Sequence, residues 1–376
     1  MRIGIVGCGD VMARAYMHAI DLMRLDRMVE VVAACDVKDE KRRFVLEELH
    51  IPRFTTRFEE VVQAPDVELV LITTPMPEHG PIAKAALEAG KHVLTEKPMA
   101  VTLDEAVHLV QLAKNSPGYL VSAPHVILSK TYQTIWKRIQ RGDIGKVTLA
   151  RGRYGWAGPS WQGWFYRAGG GAIFDLAVYN ITSLTGWLGP VRRVTAMAGA
   201  AIPDRLVGGE NIPIQVEDNV HILLDFGEAV FAVASTGFTI QRYRGPGLEL
   251  YGSKGTIQLM GDDWDPNGYE LWLNDVGAWL VFDEADPSWL WTDGLRHLVG
   301  CIPSGDRPLI SPEHAYHVLE VMLKAKESAA DGQAKSVEST FPPLAISGEV
   351  EAMPVHLVHD RSHPMGRESG PSEVKG

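Results

Sequence analysis

The sequence predicts an α/β fold in two parts: a doubly wound parallel sheet, then a strand-rich part with antiparallel pairing. Three observations predict it. Short apolar runs alternate with helical periods from Arg2 to about His125, and a glycine turn follows the first run. After Gly142, strand-like stretches succeed one another with few helices between. Alternation of the first kind builds a parallel sheet with helices on both faces. Direct strand-to-strand turns build antiparallel ladders.

The first part contains the runs "RIGIV", "VEVVAAC", "VELVLIT", "KHVLT" and "YLVSA". Between the first two, Met12, Ala15, Tyr16, Ala19, Ile20 and Met23 fall on one helical face over 11–25. Thr102 with Glu105 reads as a capping box opening another helix. Gly142 stops the helix of "TYQTIWKRIQR". The strands of the second part are "KVTLARGRY", "RRVTAMAGA", "NVHILLDF", "AVFAVAST", "LELYG", "GTIQLM" and "YELWLN". Helical periods return over 288–331, with Ser311 and Pro312 at a helix start. The reading divides the chain into a dinucleotide-binding part (1–125), a substrate and oligomerisation part (126–345) and an aperiodic tail (346–376).

The turn "GIVGCGDVMA" places Gly7 and Gly9 at the first two positions of G-x-G-x-x-G, with Met12 at the third. The first glycine permits the tight turn, and the second lets the backbone of Asp10, Val11 and Met12 approach a pyrophosphate at a helix N-terminus. Losing the third glycine touches helix–strand packing rather than phosphate contact. Asp36 ends the second strand, where a carboxylate accepts hydrogen bonds from the adenosine ribose and repels a 2′-phosphate. NAD is therefore favoured over NADP. Arg42 and Arg43 lie a turn into the next helix and read as a solvated face.

Composition narrows the partners. A net charge of −11 argues against nucleic acid, whose binding rests on neutralising phosphates. No run of 18 apolar residues occurs, which argues against a membrane span, and the chain opens on a strand without a signal-like segment. Three cysteines, Cys8, Cys35 and Cys301, show no metal or disulfide spacing and suit a reducing compartment. A soluble cytoplasmic protein with small-molecule partners is expected.

Two longer stretches carry a resemblance. "TTPMPEHGPIAKAALEAGKHVLTEKPMA" (73–100) is similar to the signature of the Gfo/Idh/MocA oxidoreductases, which include glucose–fructose oxidoreductase and inositol dehydrogenases, through Thr74, Pro75, His79, "AGKHV" and Glu96-Lys97-Pro98. "GGGAIFDLAVYNITSLTGWLGPV" (169–191) resembles the family's G-G-G-x-x-x-D-x-G-x-H block. The resemblance implies a Rossmann half followed by an α/β half on a large, mostly antiparallel open sheet. It also implies cofactor contacts from Thr74, Pro75, His79, Glu96 and Lys97, and association as a homodimer or homotetramer.

Glu96, Lys97 and Pro98 follow a strand whose carboxyl end faces the ligand crevice of an open parallel sheet. Pro98 biases Lys97 away from helical geometry and aims the ammonium, while Glu96 can hold that ammonium or touch cofactor. Asp175 and Tyr179, four residues apart, share one face of a helix that begins near Ala172. Tyr179 stands where the family pattern often has His. A phenol is a poor base at neutral pH unless a cation stabilises phenolate, and Lys97 is the expected cation. The resulting expectation is hydride transfer between a carbinol carbon and nicotinamide, with Lys97, Asp175 and Tyr179 as catalytic residues. The hydroxyl proton would pass to Tyr179 or Lys97.

For the substrate, the aromatic run "YGWAGPSWQGWFYR" offers Trp161 and Trp164 as stacking faces for a sugar ring, with core filling as the competing reading, and Arg167 as a partner for a carboxylate or a loop tie. His125, Lys130 and Tyr132 are further crevice residues, and His297 a weaker one. His356, His359, Asp360 and His363 superficially resemble a metal cluster, but no metal is expected. Two other functions compete with a sugar or polyol dehydrogenase. A glycosidase using NAD catalytically would accumulate no NADH, and a non-catalytic sensor would bind NAD without turnover and need not keep Lys97 and Asp175.

Overall fold

A computed structural model describes residues 1–283, 286–350 and 354–358. Six parallel strands, β1 (Arg2–Val6), β2 (Glu30–Cys35), β3 (Phe54–Thr55), β4 (Leu69–Ile72), β5 (His92–Thr95) and β6 (Leu120–Ser122), form a sheet in the order β3-β2-β1-β4-β5-β6. β4 is buried throughout, as expected of a strand covered on both faces. The strand order reverses beside β1, so the crevice outside the carboxyl ends of β1 and β4 is the topological switch point.

The remaining strands are β7 (Val147–Gly155), β8 (Arg193–Gly199), β9 (Asp204–Val207), β10 (Glu210–Pro213), β11 (Asn219–Gly227), β12 (Val230–Gly237), β13 (Leu248–Gly252), β14 (Gly255–Asp262), β15 (Asp265–Leu273), β16 (Ala278–Phe282), β17 (Lys335–Ser336) and β18 (His356–Val358). β9 and β10 make a separate hairpin. The others form a ten-stranded sheet in the order β17-β8-β11-β12-β7-β13-β14-β15-β16-β18, antiparallel except where β12 runs parallel to β7. Alternating burial along β11 marks one covered and one open face. The helices Val178–Leu188 and Pro312–Asp331 pack on this sheet through β7 and β8.

The expected helix boundaries recur. Thr102 Oγ1 accepts from Glu105 N, Ser311 Oγ accepts from His314 N, and Gly142 closes Lys130–Arg141 in the left-handed conformation at φ 74°. Glu105 reaches back to Val101 N rather than to the cap residue itself. Arg42 and Arg43 pair with Asp39 and Glu47 on the surface. The structure adds β3, β9, β10 and β16 to the strands read from the sequence, and differs from that reading at two further places. The segment read as an aperiodic tail contributes β18, which pairs with β16. The helix Gly294–Ser304 turns back to pack on β5, β6 and the helix Met17–Leu25 of the first sheet. Among the described residues, no helix is long and apolar enough to cross a membrane.

Candidate active site

The glycine turn is built as the spacing requires. Gly7 has φ 99°, and a Cβ there would sit 2.7 Å from the Thr73 carbonyl, so the protein itself demands glycine. A Cβ on Gly9 would meet no protein atom within 4 Å, so the space in front of this backbone is open to a ligand. The first helical hydrogen bond runs from Ala13 N to Gly9 O, which leaves the N–H groups of Asp10, Val11 and Met12 without intrahelical acceptors. Met12 contributes backbone alone, because its side chain is 0% exposed in the core.

Asp36 fixes the turn from β2: its Oδ2 accepts from Cys8 N and its Oδ1 from Lys38 N, both at 2.9 Å. Thr73 Oγ1 donates to Gly7 O at 2.6 Å, stitching β4 to the turn. Next in the chain, Thr74 Oγ1 is buried without a partner, and Pro75 is exposed. An open glycine cradle, three free N–H groups, a carboxylate beyond β2 and an orphaned hydroxyl fit a dinucleotide.

His79 does not face this crevice. Its ring is buried, with Nδ1 2.8 Å from Pro98 O and Nε2 2.8 Å from Thr74 O, so it braces the two loops from behind. Glu96 is likewise a brace: its Oε1 accepts from the Tyr16 hydroxyl at 2.7 Å and its Oε2 from Lys97 N at 3.2 Å. It does not hold the ammonium.

Asp175 holds it. Lys97 Nζ donates to Asp175 Oδ1 at 2.7 Å and to the Asp175 carbonyl at 2.8 Å, and lies 5.2 Å from the centre of the Tyr179 ring. Pro98 follows Lys97 through a cis peptide. The helix bearing the acid is anchored by Glu217, whose carbonyl accepts from Ala172 N and whose carboxylate accepts from Ile173 N and Lys326 Nζ. The three residues singled out from two distant motifs therefore meet.

One electrostatic expectation fails. The Lys97 ammonium sits over the ring face and is engaged by Asp175, so it does not favour phenolate. Burial, then the carboxylates of Glu96, Asp175 and Asp263, push Tyr179 well above the ordinary phenol range. Tyr179 is a proton holder at neutral pH, and its hydroxyl makes no hydrogen bond to any described residue.

The substrate candidates divide. His125 is buried, its Nδ1 lies 3.1 Å from Trp291 O, its ring packs on Gly294, and burial pulls its titration down to about 4. It is therefore a structural histidine. Tyr132 is buried against Trp187, and His297 Nε2 accepts from Leu309 N, so both are structural as well. Lys130 is exposed at a helix start. Trp161 is 53% exposed, stacked on Trp156 and edge-on to Phe165, while Trp164 stacks on Phe165. Arg167 is exposed and makes no side-chain hydrogen bond or ion pair with any described residue. This loop reaches the crevice mouth, because a Cβ on Gly169 would lie 3.4 Å from Pro77 Cγ. His356 is exposed in β18, and His359, Asp360 and His363 lie outside the described residues.

Beside Tyr179 stand Tyr154, which opens the aromatic run but was given no role, and two residues that sequence reasoning passed over. Tyr154 of β7 is edge-on to Tyr179 at 5.5 Å, and Trp264 packs on Tyr154 at 6.3 Å. Asp263 accepts from Asn180 Nδ2 at 2.9 Å. No motif marks Trp264 and Asp263; only strand register and the turn after β14 bring them to the side of the helix that carries Tyr179.

Comparison with known proteins identifies the family. Residues 1–123 match the oxidoreductase family with an NAD-binding Rossmann fold, and residues 132–258 match the GFO/IDH/MocA C-terminal domain. A 1,5-anhydro-D-fructose reductase from Ensifer adhaerens is 29% identical over 82% of this chain and 92% of its own. A levoglucosan dehydrogenase from Pseudarthrobacter phenanthrenivorans is 30% identical over 54% of this chain and 58% of its own. The crystal structure of an NAD binding oxidoreductase from Klebsiella pneumoniae superposes with a TM-score of 0.79 at 22% identity, covering 90% of this chain and 99% of that one. With both halves matched and the crevice fitted to a dinucleotide, the chain belongs to the Gfo/Idh/MocA family of NAD-dependent oxidoreductases.

Proposed function

We propose that the enzyme interconverts a secondary hydroxyl and its carbonyl on a sugar, cyclitol or related polyol, with Lys97, Asp175 and Tyr179 as catalytic residues. The observation carrying this reading is the convergence of Lys97 Nζ on Asp175 and on the Tyr179 ring, beyond the carboxyl end of β5. Bound NAD supplies the hydride acceptor, or in reduced form the donor. The other duties fall to side chains. An ammonium has three N–H donors; two go to Asp175, and the third is free for the substrate oxygen. Asp175 fixes the direction of that donor. Tyr179 gives its proton to the carbonyl oxygen in reduction, and in oxidation accepts one only after losing its own.

The turn from Gly7 to Met12 would hold the pyrophosphate and Asp36 the ribose, which disfavours NADP. The sugar reading is supported by the aromatic wall of Tyr154 and Trp264 beside Tyr179, and by Trp161 and Trp164 at the mouth. Two relatives act on sugar derivatives by name. Arg167 would meet a carboxylate on the substrate. Three free, buried cysteines suit a reducing cytoplasm, and the open face of the ten-stranded sheet suits a homo-oligomer.

The test is turnover with NAD across a panel of cyclic polyols, and with NADH across the matching ketoses, followed by NADH absorbance. Substrate-dependent change in wild type and its collapse in Lys97→Met is the expected result. NAD binding with no turnover on either panel would remove the enzymatic reading of the site.

A further inference from the structure

The helix that carries Asp175 begins without a cap of its own. Its first residues, Ala172 and Ile173, follow the glycine run, and Ala172 offers no side-chain acceptor to the free N–H groups of the first turn. The acceptors come from a distant residue, Glu217, which stands just before β11. Its carbonyl accepts from Ala172 N at 3.1 Å, and its Oε1 accepts from Ile173 N at 3.3 Å. The partial positive charge of a helix start also favours a carboxylate there. The fit is close. Gly171 has φ 103°, and a Cβ on it would lie 2.4 Å from Glu217 Oε1, so a side chain at that position would push the carboxylate off the helix. On its other side the carboxylate accepts from Lys326 Nζ at 3.2 Å, and that ammonium lies 4.6 Å from the centre of the Phe174 ring.

We propose that Glu217 is a positioning residue: by holding the start of this helix it sets where Asp175 grips the Lys97 ammonium; this rests on the Lys97–Asp175 pair as the centre of the site. The connection is short and made of contacts. Asp175 lies two residues beyond Ile173, and its N–H donates to Gly171 O at 3.0 Å, so both belong to the first turn. Lys97 Nζ donates to the side chain of Asp175 at 2.7 Å and to its carbonyl at 2.8 Å. A carbonyl moves with the backbone. A first turn released from Glu217 therefore displaces one of the two acceptors whatever the side chain does, and a displacement of about 1 Å at a reacting group can cost about a hundredfold in rate. Glu217 makes no hydrogen bond to Lys97 or Tyr179, so it acts only through the helix.

The experiment is competitive acetylation of the NAD-loaded protein with acetic anhydride, read lysine by lysine by mass spectrometry. Lys91, whose Nζ donates to Ala64 O and Val67 O, is the reference for general opening of the same half of the chain. Glu217→Ala should raise acetylation of Lys97 relative to Lys91 by about fivefold, the weight of one helix cap. Glu217→Gln, which keeps an acceptor for Ile173 N and loses the charge, should restore the wild-type ratio. Should Glu217→Ala fail to fold, Glu217→Asp keeps the charge, draws the acceptor back by one methylene and carries the same expected rise. With a substrate from the polyol panel, kcat should fall about tenfold or more in Glu217→Ala and recover in Glu217→Gln, while KM and NAD affinity stay within about threefold. A folded, NAD-binding Glu217→Ala or Glu217→Asp with the wild-type ratio overturns the proposal, and so does a Glu217→Gln as reactive at Lys97 as Glu217→Ala. The labelling needs no substrate, so the two readings fail separately. A raised ratio in a chain that turns over nothing removes the enzymatic reading alone, and an unchanged ratio in an active chain removes this one alone.

Discussion

Lys97 gives two of its three N–H donors to one residue, and both partners are mostly buried, at 10% and 13% side-chain exposure. Removing one partner of such a pair leaves an uncompensated charge, a cost of about 3–5 kcal/mol. Lys97→Met should therefore lower the melting temperature as well as kcat, the latter by about 10²- to 10⁴-fold. Calorimetric NAD affinity should change little, since the glycine turn and Asp36 are remote from the pair. A variant with unchanged kcat would remove Lys97 from the chemistry. Asp263 gives a second prediction with a definite sign. Its folded-state titration near 7 lies above that of an unfolded Asp, so the native state binds more protons than the unfolded chain between the two values. Its contribution then falls as pH rises from about 4 to 7 and stays unfavourable above. Asp263→Asn should raise the melting temperature at pH 8 by more than at pH 5, as scanning calorimetry would reveal. Equal shifts at both pH values would mean the buried acid is paired in a way the hydrogen bonds do not show.

At the scale of elements, the two glycines of the first turn separate folding from binding. Gly7 combines φ 99° with a carbonyl 2.7 Å from any added Cβ, whereas Gly9 has an ordinary φ and open space. Gly7→Ala should lower stability and NAD affinity together. Gly9→Ala should fold with wild-type melting behaviour yet bind NAD at least tenfold more weakly, because its methyl occupies the pyrophosphate approach. Calorimetric titration beside thermal melting distinguishes them, and wild-type affinity in Gly9→Ala would place the dinucleotide elsewhere. The same turn shows what was legible in the sequence. Strands with strong apolar runs and their glycine or acidic turns were readable, and so were the caps at Thr102, Gly142 and Ser311, because these signals are local. β16, "AWLVF" between Gly277 and Asp283, carries the same apolar run and was passed over, whereas β9 and β10 are polar and short and β18 has three residues, so these do not rise above their surroundings. The site divides in the same way. Lys97, Asp175 and Asn180 lie in contiguous motifs, while Tyr154 and Asp263 reach the helix of Asn180 only through the pairing of β7, β13, β14 and β15. Charge state was also hidden: the ammonium expected to lower Tyr179 is captured by Asp175, a matter of distances.

For the whole molecule, the ten-stranded sheet presents one face without helices. Cross-strand partners share a face, and the pairing runs Phe231–Leu149–Tyr251–Thr256–Trp272–Trp279 from β12 to β16. Leu149 and Phe231 are exposed in this row, and Leu223 and Met197 extend exposed apolar surface onto β11 and β8 at 57% and 79%. Scattered exposed apolar residues are ordinary, but a patch spread over four adjacent strands, β8, β11, β12 and β7, is the kind that covers itself with a partner. A second copy suits it because a twofold axis can set the same row against itself, and a stable interface needs about 800 Å² from each subunit, which a sheet this broad can supply. Leu149→Lys with Phe231→Lys would then bring two like charges from each subunit to the centre of the interface. Sedimentation should show the wild type as a dimer or tetramer and the double variant as monomer, its turnover per chain reduced less than tenfold because the Lys97–Asp175 pair lies on the helix side of the sheet. A monomeric wild type at micromolar concentration would leave the open face without the occupant argued here.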